Sequence, residues 1–128
     1  MQFINPPGAP KPTSSYSQGV LVPVGARRLI ISGQVGVTPD GVVLQGMRAQ
    51  TEQLFANMKA VLQAAGMDAR DVVKIVTYCT RPMETGVVRE VRSQFFESHT
   101  PASTFLIVPA LANPDFLIEI EAEAVKED

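Results

Sequence analysis

The segment from Phe116 to Ala124 constrains the fold more than any other part of the chain. It reads Phe-Leu-Ile-Glu-Ile-Glu-Ala-Glu-Ala, and from Ile118 onward apolar and acidic residues alternate strictly. A period of two is that of a strand with one buried face. Phe116, Ile118, Ile120, Ala122 and Ala124 fall on one face, and Leu117, Glu119, Glu121 and Glu123 on the other. Three carboxylates in line cannot enter an apolar core without partners, because burying a charge is costly. The acidic face therefore meets water, a cavity or a ligand.

The rest of the chain supplies partners for that strand. Four prolines between Asn5 and Ser15 make an extended arm, since proline lacks the donor that a helix or central strand needs. Gly19 to Val24 and Arg28 to Val35 read as strands. Thr38-Pro39-Asp40-Gly41 is a turn in which proline fixes φ and glycine supplies a positive one, so Val42 to Leu44 is expected to return as a short hairpin strand. The period then changes. Met47, Thr51, Leu54, Phe55, Met58, Val61, Leu62 and Ala65 recur at three- and four-residue spacing, which predicts a helix of about five turns ended by Gly66.

Asp71 to Thr80 is β-branched and apolar, hence a strand. Pro82 suits the first turn of a second helix, whose buried face is Val87, Val88, Val91 and Phe95 and which His99-Thr100-Pro101 ends. A short apolar run to Val108 and the alternating segment give two final strands. The order β-β-(β)-α-β-α-β-β predicts an α+β fold: one mixed sheet with both helices on one face. The other sheet face carries Glu119, Glu121 and either Thr77 or Lys74, and oligomerisation is a common use of such a face.

Composition narrows the function. The 128 residues suit a single domain over 1–128, and 45% hydrophobic with 19% charged residues is ordinary for a soluble globular protein. A net charge of −2 with scattered arginines lacks the basic footprint that a phosphate backbone requires, so nucleic acid is not expected as a partner. No apolar run is long enough for a membrane span, and the N-terminus lacks a signal pattern. One cysteine, Cys79, excludes an internal disulfide and suits a reducing cytoplasm. Cys79 and the single His99 cannot make the usual zinc constellations.

A set of short motifs carries a resemblance over nearly the whole chain. These are Tyr16-Ser17-Gln18-Gly19, Ser32-Gly33-Gln34, Gln50-Thr51 with Gln53 and Asn57, and Ala64-Ala65-Gly66. They continue with Asp71-Val72-Val73-Lys74, Phe95-Phe96, Pro101-Ala102 and Glu119-Ile120-Glu121-Ala122. In number, order and spacing they resemble the reactive intermediate deaminase family (RidA, also called YjgF). The resemblance implies a chorismate-mutase-like fold and a homotrimer with helices outside and small-molecule pockets at the subunit interfaces. It also implies hydrolysis of small enamines and imines to carbonyl compounds and ammonia without metal or organic cofactor. The ligand it implies is a small, carboxylate-bearing metabolite.

Carried over residue by residue, the family pattern makes Glu119 the group that positions water or relays a proton. Tyr16 lies near the ligand, and Ser32 and Gly33 form a loop whose backbone approaches it. The chain departs from the pattern at Ser103. There the deaminating branch has an arginine that holds the substrate carboxylate, in the motif Pro-Ala-Arg-Ser. A guanidinium gives a carboxylate two charge-assisted hydrogen bonds, and a serine hydroxyl gives one neutral bond at best. Losing a charged partner in a buried site costs on the order of 2–5 kcal/mol. Phe105 replaces a cysteine and makes the pocket wall more apolar. Arg89, in place of an asparagine on the second helix, can return positive charge from another direction. The expected chemistry is therefore deamination of a substrate other than 2-aminoacrylate. The alternative is a trimer that binds a metabolite at the same interface pocket without turnover.

Overall fold

The computed structural model describes residues 1–128. Its main elements are β1 (Gln2–Ile4), β2 (Gly19–Leu21), β3 (Arg27–Val35), α1 (Met47–Ala64), β4 (Val72–Cys79), α2 (Thr85–Phe96), β5 (Ala102–Ile107) and β6 (Ile118–Lys126). The alternating segment becomes β6 and lies inside a four-stranded sheet of order β3-β6-β4-β5. It runs antiparallel to β3 and to β4. β5 is parallel to β4 and forms the edge. A parallel pair needs a long crossover, and α2 supplies it.

The two helices cover one face of this mixed sheet, as the pattern of periods predicts. Ile118, Ile120, Ala122 and Ala124 point toward them and are buried. They join one cluster with Leu54, Phe55, Met58 and Leu62 of α1 and Val88, Val91 and Phe96 of α2. Burying each large aliphatic side chain of this set contributes about 1.5–3 kcal/mol. The helix ends as expected: Gly66 has φ 71°, its N–H donates to the Gln63 carbonyl, and Met67 N–H donates to the Leu62 carbonyl at 2.9 Å. That paired closure needs a left-handed residue between its two bonds, which glycine adopts without a Cβ clash.

Three local expectations are corrected. β2 ends at Leu21 and pairs with the N-terminal β1 in a separate two-stranded sheet, so it does not join the main sheet. Val42 to Leu44 forms no strand; a single bridge joins Val37 to Val43 beyond the Thr38–Gly41 turn. α2 follows a 3₁₀ turn at Pro82–Glu84 and stops at Phe96, ahead of His99. Glu97, with φ 55°, reverses the chain there. The buried residues of α2 are Val88, Val91, Arg92 and Phe96. Val87 and Phe95 sit half-buried at the margin, where Phe95 stacks on Phe55 at 4.6 Å.

The other sheet face has no covering layer in the chain. Register places Tyr78 opposite Glu119, Val76 opposite Glu121, and Lys74 opposite Glu123. Ile30 lies opposite Glu123 on the far side and is 60% exposed. Thr77, the partner of Ile120, faces the helices and is buried, so Lys74 is the resident of the polar face.

Candidate active site

On the uncovered face the three glutamates of β6 meet different surroundings. Glu123 accepts from Arg28 Nη2 with both oxygens at 3.1 Å. Glu121 accepts a hydrogen bond from the Tyr78 hydroxyl. That bond first, then burial and the charges of Glu121 and Glu119, raises the tyrosine pKa above its ordinary value. Glu119 is half-buried, and its carboxylate makes no hydrogen bond and no ion pair within the chain. Of the three it alone has no side-chain partner within the chain.

The backbone around Glu119 is shaped to leave it room. β3 carries a bulge between Ile31 and Gln34, which places exposed Ser32 and Gly33 at its crest. A Cβ at Gly33 would overlap the Glu119 carboxyl group, so only glycine lets that side chain lie against the strand. Gln50, buried at the start of α1, fixes the entry to β6. Its Nε2 donates to the Leu44 and Asp115 carbonyls, both at 2.9 Å, and its Oε1 accepts from Leu117 N–H at 2.8 Å. Asn57 does the same for the exit of β3, donating to the carbonyls of Val35 and Val37 at 3.2 and 2.9 Å.

A second group of residues lies elsewhere. Ser103 pairs with Ile75 and Phe105 with Thr77, whose neighbours on β4 and β6 belong to the helix-covered face. Here Tyr16, Arg89, Ser103 and Phe105 line a cleft of about 200 Å³ between α2, the edge strand β5 and the N-terminal arm. The Arg89 guanidinium sits 5.0 Å from the centre of the Phe105 ring, a cation–π distance that turns it toward the cleft. The arm is held at Ser17, whose N–H donates to the Pro101 carbonyl at 3.2 Å and whose hydroxyl donates to the Thr100 carbonyl at 2.6 Å.

Sequence reasoning overlooked Arg92, which also lines this cleft and is only 4% exposed. Its Nη2 donates to the Ser14 hydroxyl at 2.9 Å, and its Nε is buried with no partner. Burial first, and then the Arg89 charge, pulls its pKa below the ordinary arginine value. Helical spacing held the signal: Arg92 follows Val88 by four residues and precedes Phe96 by four, within the buried stripe. Its charge argued for the surface and hid it.

The candidate residues thus form two sets on opposite faces of one sheet. Glu119, Ser32 and Gly33 stand on the open face, and Tyr16, Arg89, Ser103 and Phe105 stand in the helix-side cleft. Cys79 and His99 belong to neither. Cys79 is fully buried, and the His99 ring contacts the Val72 carbonyl through Nε2 at 2.6 Å and packs edge-on against Phe3. No three side chains of His, Cys, Asp and Glu gather as metal ligands, and no helix is long and apolar enough to cross a membrane.

This architecture recurs among known proteins. The family model described as Endoribonuclease L-PSP matches residues 7–126. A human protein named 2-iminobutanoate/2-iminopropanoate deaminase is 37% identical over 120 residues, covering 92% of this chain and 85% of its own. A crystal structure of a Rid family protein of unknown function from Yersinia pestis is 36% identical, with a TM-score of 0.87 and 98% of each chain covered. The structure of E. coli TdcF with bound serine is 31% identical, with a TM-score of 0.73 and 99% and 100% of the two chains covered. With the family match spanning nearly its full length and the two-helix, mixed-sheet fold shared by these structures, the chain belongs to the RidA/YjgF family.

Proposed function

We propose that this protein hydrolyses small 2-imino acids to 2-oxo acids and ammonia at a site shared between two copies of the chain. The observation that carries this reading is Glu119: a half-buried carboxylate without an internal partner, laid against a glycine on an uncovered sheet face. The human relative's name and the serine bound to E. coli TdcF supply the substrate class, a small amino-acid-like molecule.

The chemistry asks little of the protein. The Glu119 carboxylate orients a water and takes its proton as the water oxygen bonds to the imine carbon. The C=N electron pair moves to nitrogen, giving a carbinolamine. Glu119 gives that proton to the nitrogen, completing the neutral carbinolamine, then takes the hydroxyl proton as the C=O bond forms and passes it to the nitrogen as the C–N bond breaks, so that ammonia leaves. One carboxylate serves as base and then as acid, a role typically worth 10²–10⁴-fold in rate. The carboxylate end of the substrate lies in the Ser103 cleft. Within one chain that cleft and Glu119 are on opposite sides of the sheet, so the complete site takes its cleft from one copy and Glu119 from the next. A homotrimer satisfies this head-to-tail arrangement, since a heterologous contact that closes gives a ring.

The family description names an endoribonuclease. This chain offers that chemistry neither a basic face nor a pair of acid–base histidines. The test is ammonia release from 2-iminobutanoate generated in a coupled assay. The wild type is expected to exceed the uncatalysed rate, and Glu119→Gln to lower kcat by about 10²-fold or more. Background rates with several imino acids would reject the reading. A ligand-dependent rise in Tm without product would then favour the non-catalytic binding trimer.

A further inference from the structure

The cleft holds more positive charge than any acid of the chain answers. Four ion pairs form in the molecule: Arg27 with Asp128, Arg28 with Glu123, Arg48 with Glu90 and Arg70 with Asp68. Arg89 and Arg92 belong to none of them. Arg92 is the sharper case, because it is the one arginine taken out of water. Its only hydrogen bond goes to a neutral hydroxyl, and its Nε has no acceptor. A buried cation without a counter-charge is unstable relative to one that meets an anion, because the missing hydration is restored only by a charge or a set of dipoles. The two terminal nitrogens carry four N–H donors, and the structure shows one bond from them, Nη2 to Ser14, so the end of the guanidinium is left to grip both oxygens of a carboxylate.

We propose that Arg92, with Arg89 at the rim, is the carboxylate-binding group of this pocket, so that the substrate's acid end is held from helix α2 and not from strand β5. The inference rests on the reading of the cleft as a substrate pocket and adds the residue that confers its preference for acids. Ser103 then has a consistent part. With the cation on the helix, a small hydroxyl on the facing strand leaves space for the carboxylate and gives it one further donor. Phe105 orients Arg89 through its ring face and forms the apolar wall for the ligand's side chain. Ser14 links the cation to the arm, so the arm and Tyr16 close over the same anion.

The test compares two probes of nearly equal shape, 2-oxobutanoate and its neutral amide 2-oxobutanamide, by calorimetric titration of the full-length protein. The wild type is expected to favour the acid by at least about thirtyfold. Arg92→Met is expected to bring the two affinities within about threefold of each other, while Glu119→Gln keeps the wild-type preference. Arg92→Gln, which retains a donor for Ser14, guards against a failure of the first variant to fold, and the same collapse is expected. An arginine that only anchors the arm would weaken both probes alike and leave their ratio intact. That result, or a wild type indifferent to the charge, overturns the inference. Acid binding through Arg92 without ammonia release would instead sink the deaminase reading and leave this one standing. Turnover with an unchanged KM in the Arg92 variants would do the reverse.

Discussion

Gly33 and Gly36 stand three residues apart on the same stretch of chain and expose two different kinds of constraint. A Cβ at Gly33 would meet the carboxyl end of Glu119, a flexible group that can swing away. A Cβ at Gly36 would meet Cα and Cβ of Gln50, which belong to the helix itself. Gly36→Ala is therefore expected to cost 1–3 kcal/mol or so through overpacking, read as a lower urea midpoint. Gly33→Ala is expected to shift stability little and to depress kcat about tenfold or more by displacing Glu119. Equal stability losses would show that Glu119 has no room to move. The family motifs Gln50 and Asn57 were visible in the sequence, but their work was not. Both hold backbone groups distant in sequence, and Gln50 reaches forward to Leu117. Arg92 escaped notice for a related reason: its charge outweighed its place in the stripe.

At the scale of elements, strong periodicity was legible and short pairings were not. β6 and α1 announce themselves because a one-sided burial requirement repeats over several turns or pleats. β1 and β2 have three residues each and are joined across the proline-rich arm, so neither carries enough pattern to show its partner. The 3₁₀ turn at Ala69–Asp71 that leads into β4 is a further case. Asp68 caps it by accepting from Arg70 N–H at 2.8 Å, and Asp68 N–H donates back to the Asp71 carboxylate at 2.8 Å. The Arg70 side chain, then the Arg70 N–H, holds the Asp68 carboxyl down at a pKa of about 2, against 3.8 ordinarily. A native pKa below the unfolded one means that the unfolded chain binds more protons between the two. The stabilisation is thus complete above pH 4 and fades as pH falls toward 2. Half of the Asp68 side chain is exposed, so solvent screens the ionic part. Asp68→Ala is expected to cost about 1 kcal/mol at neutral pH, with the gap to wild type shrinking near pH 2. A gap independent of pH would contradict the capping role.

At the scale of the whole molecule the proposed site calls for a second copy, because Glu119 and the Ser103 cleft lie on opposite faces of one sheet. The open sheet face mixes the carboxylates of β6 with Val76, Tyr78, exposed Ile30 and exposed Leu106. Apolar side chains in that setting suit contact with another copy. The alternation of β6 showed in the sequence that such a face exists. The separation of Ser103 from Glu119 did not show, because it depends on how β5 registers against β4. The most direct test mixes two inactive variants: Glu119→Gln, which lacks the proton carrier, and Ser103→Phe, whose ring fills the cleft. Each alone is expected to form a trimer of about 41 kDa, three times 13.8 kDa, without deaminase activity. Unfolded and refolded together in equal amounts, they are expected to regain about a quarter of the wild-type sites, because a ring of mixed copies pairs an intact cleft with an intact Glu119. A mixture no more active than its parents, or a wild type that stays monomeric while turning over imines, would contradict a site shared between copies.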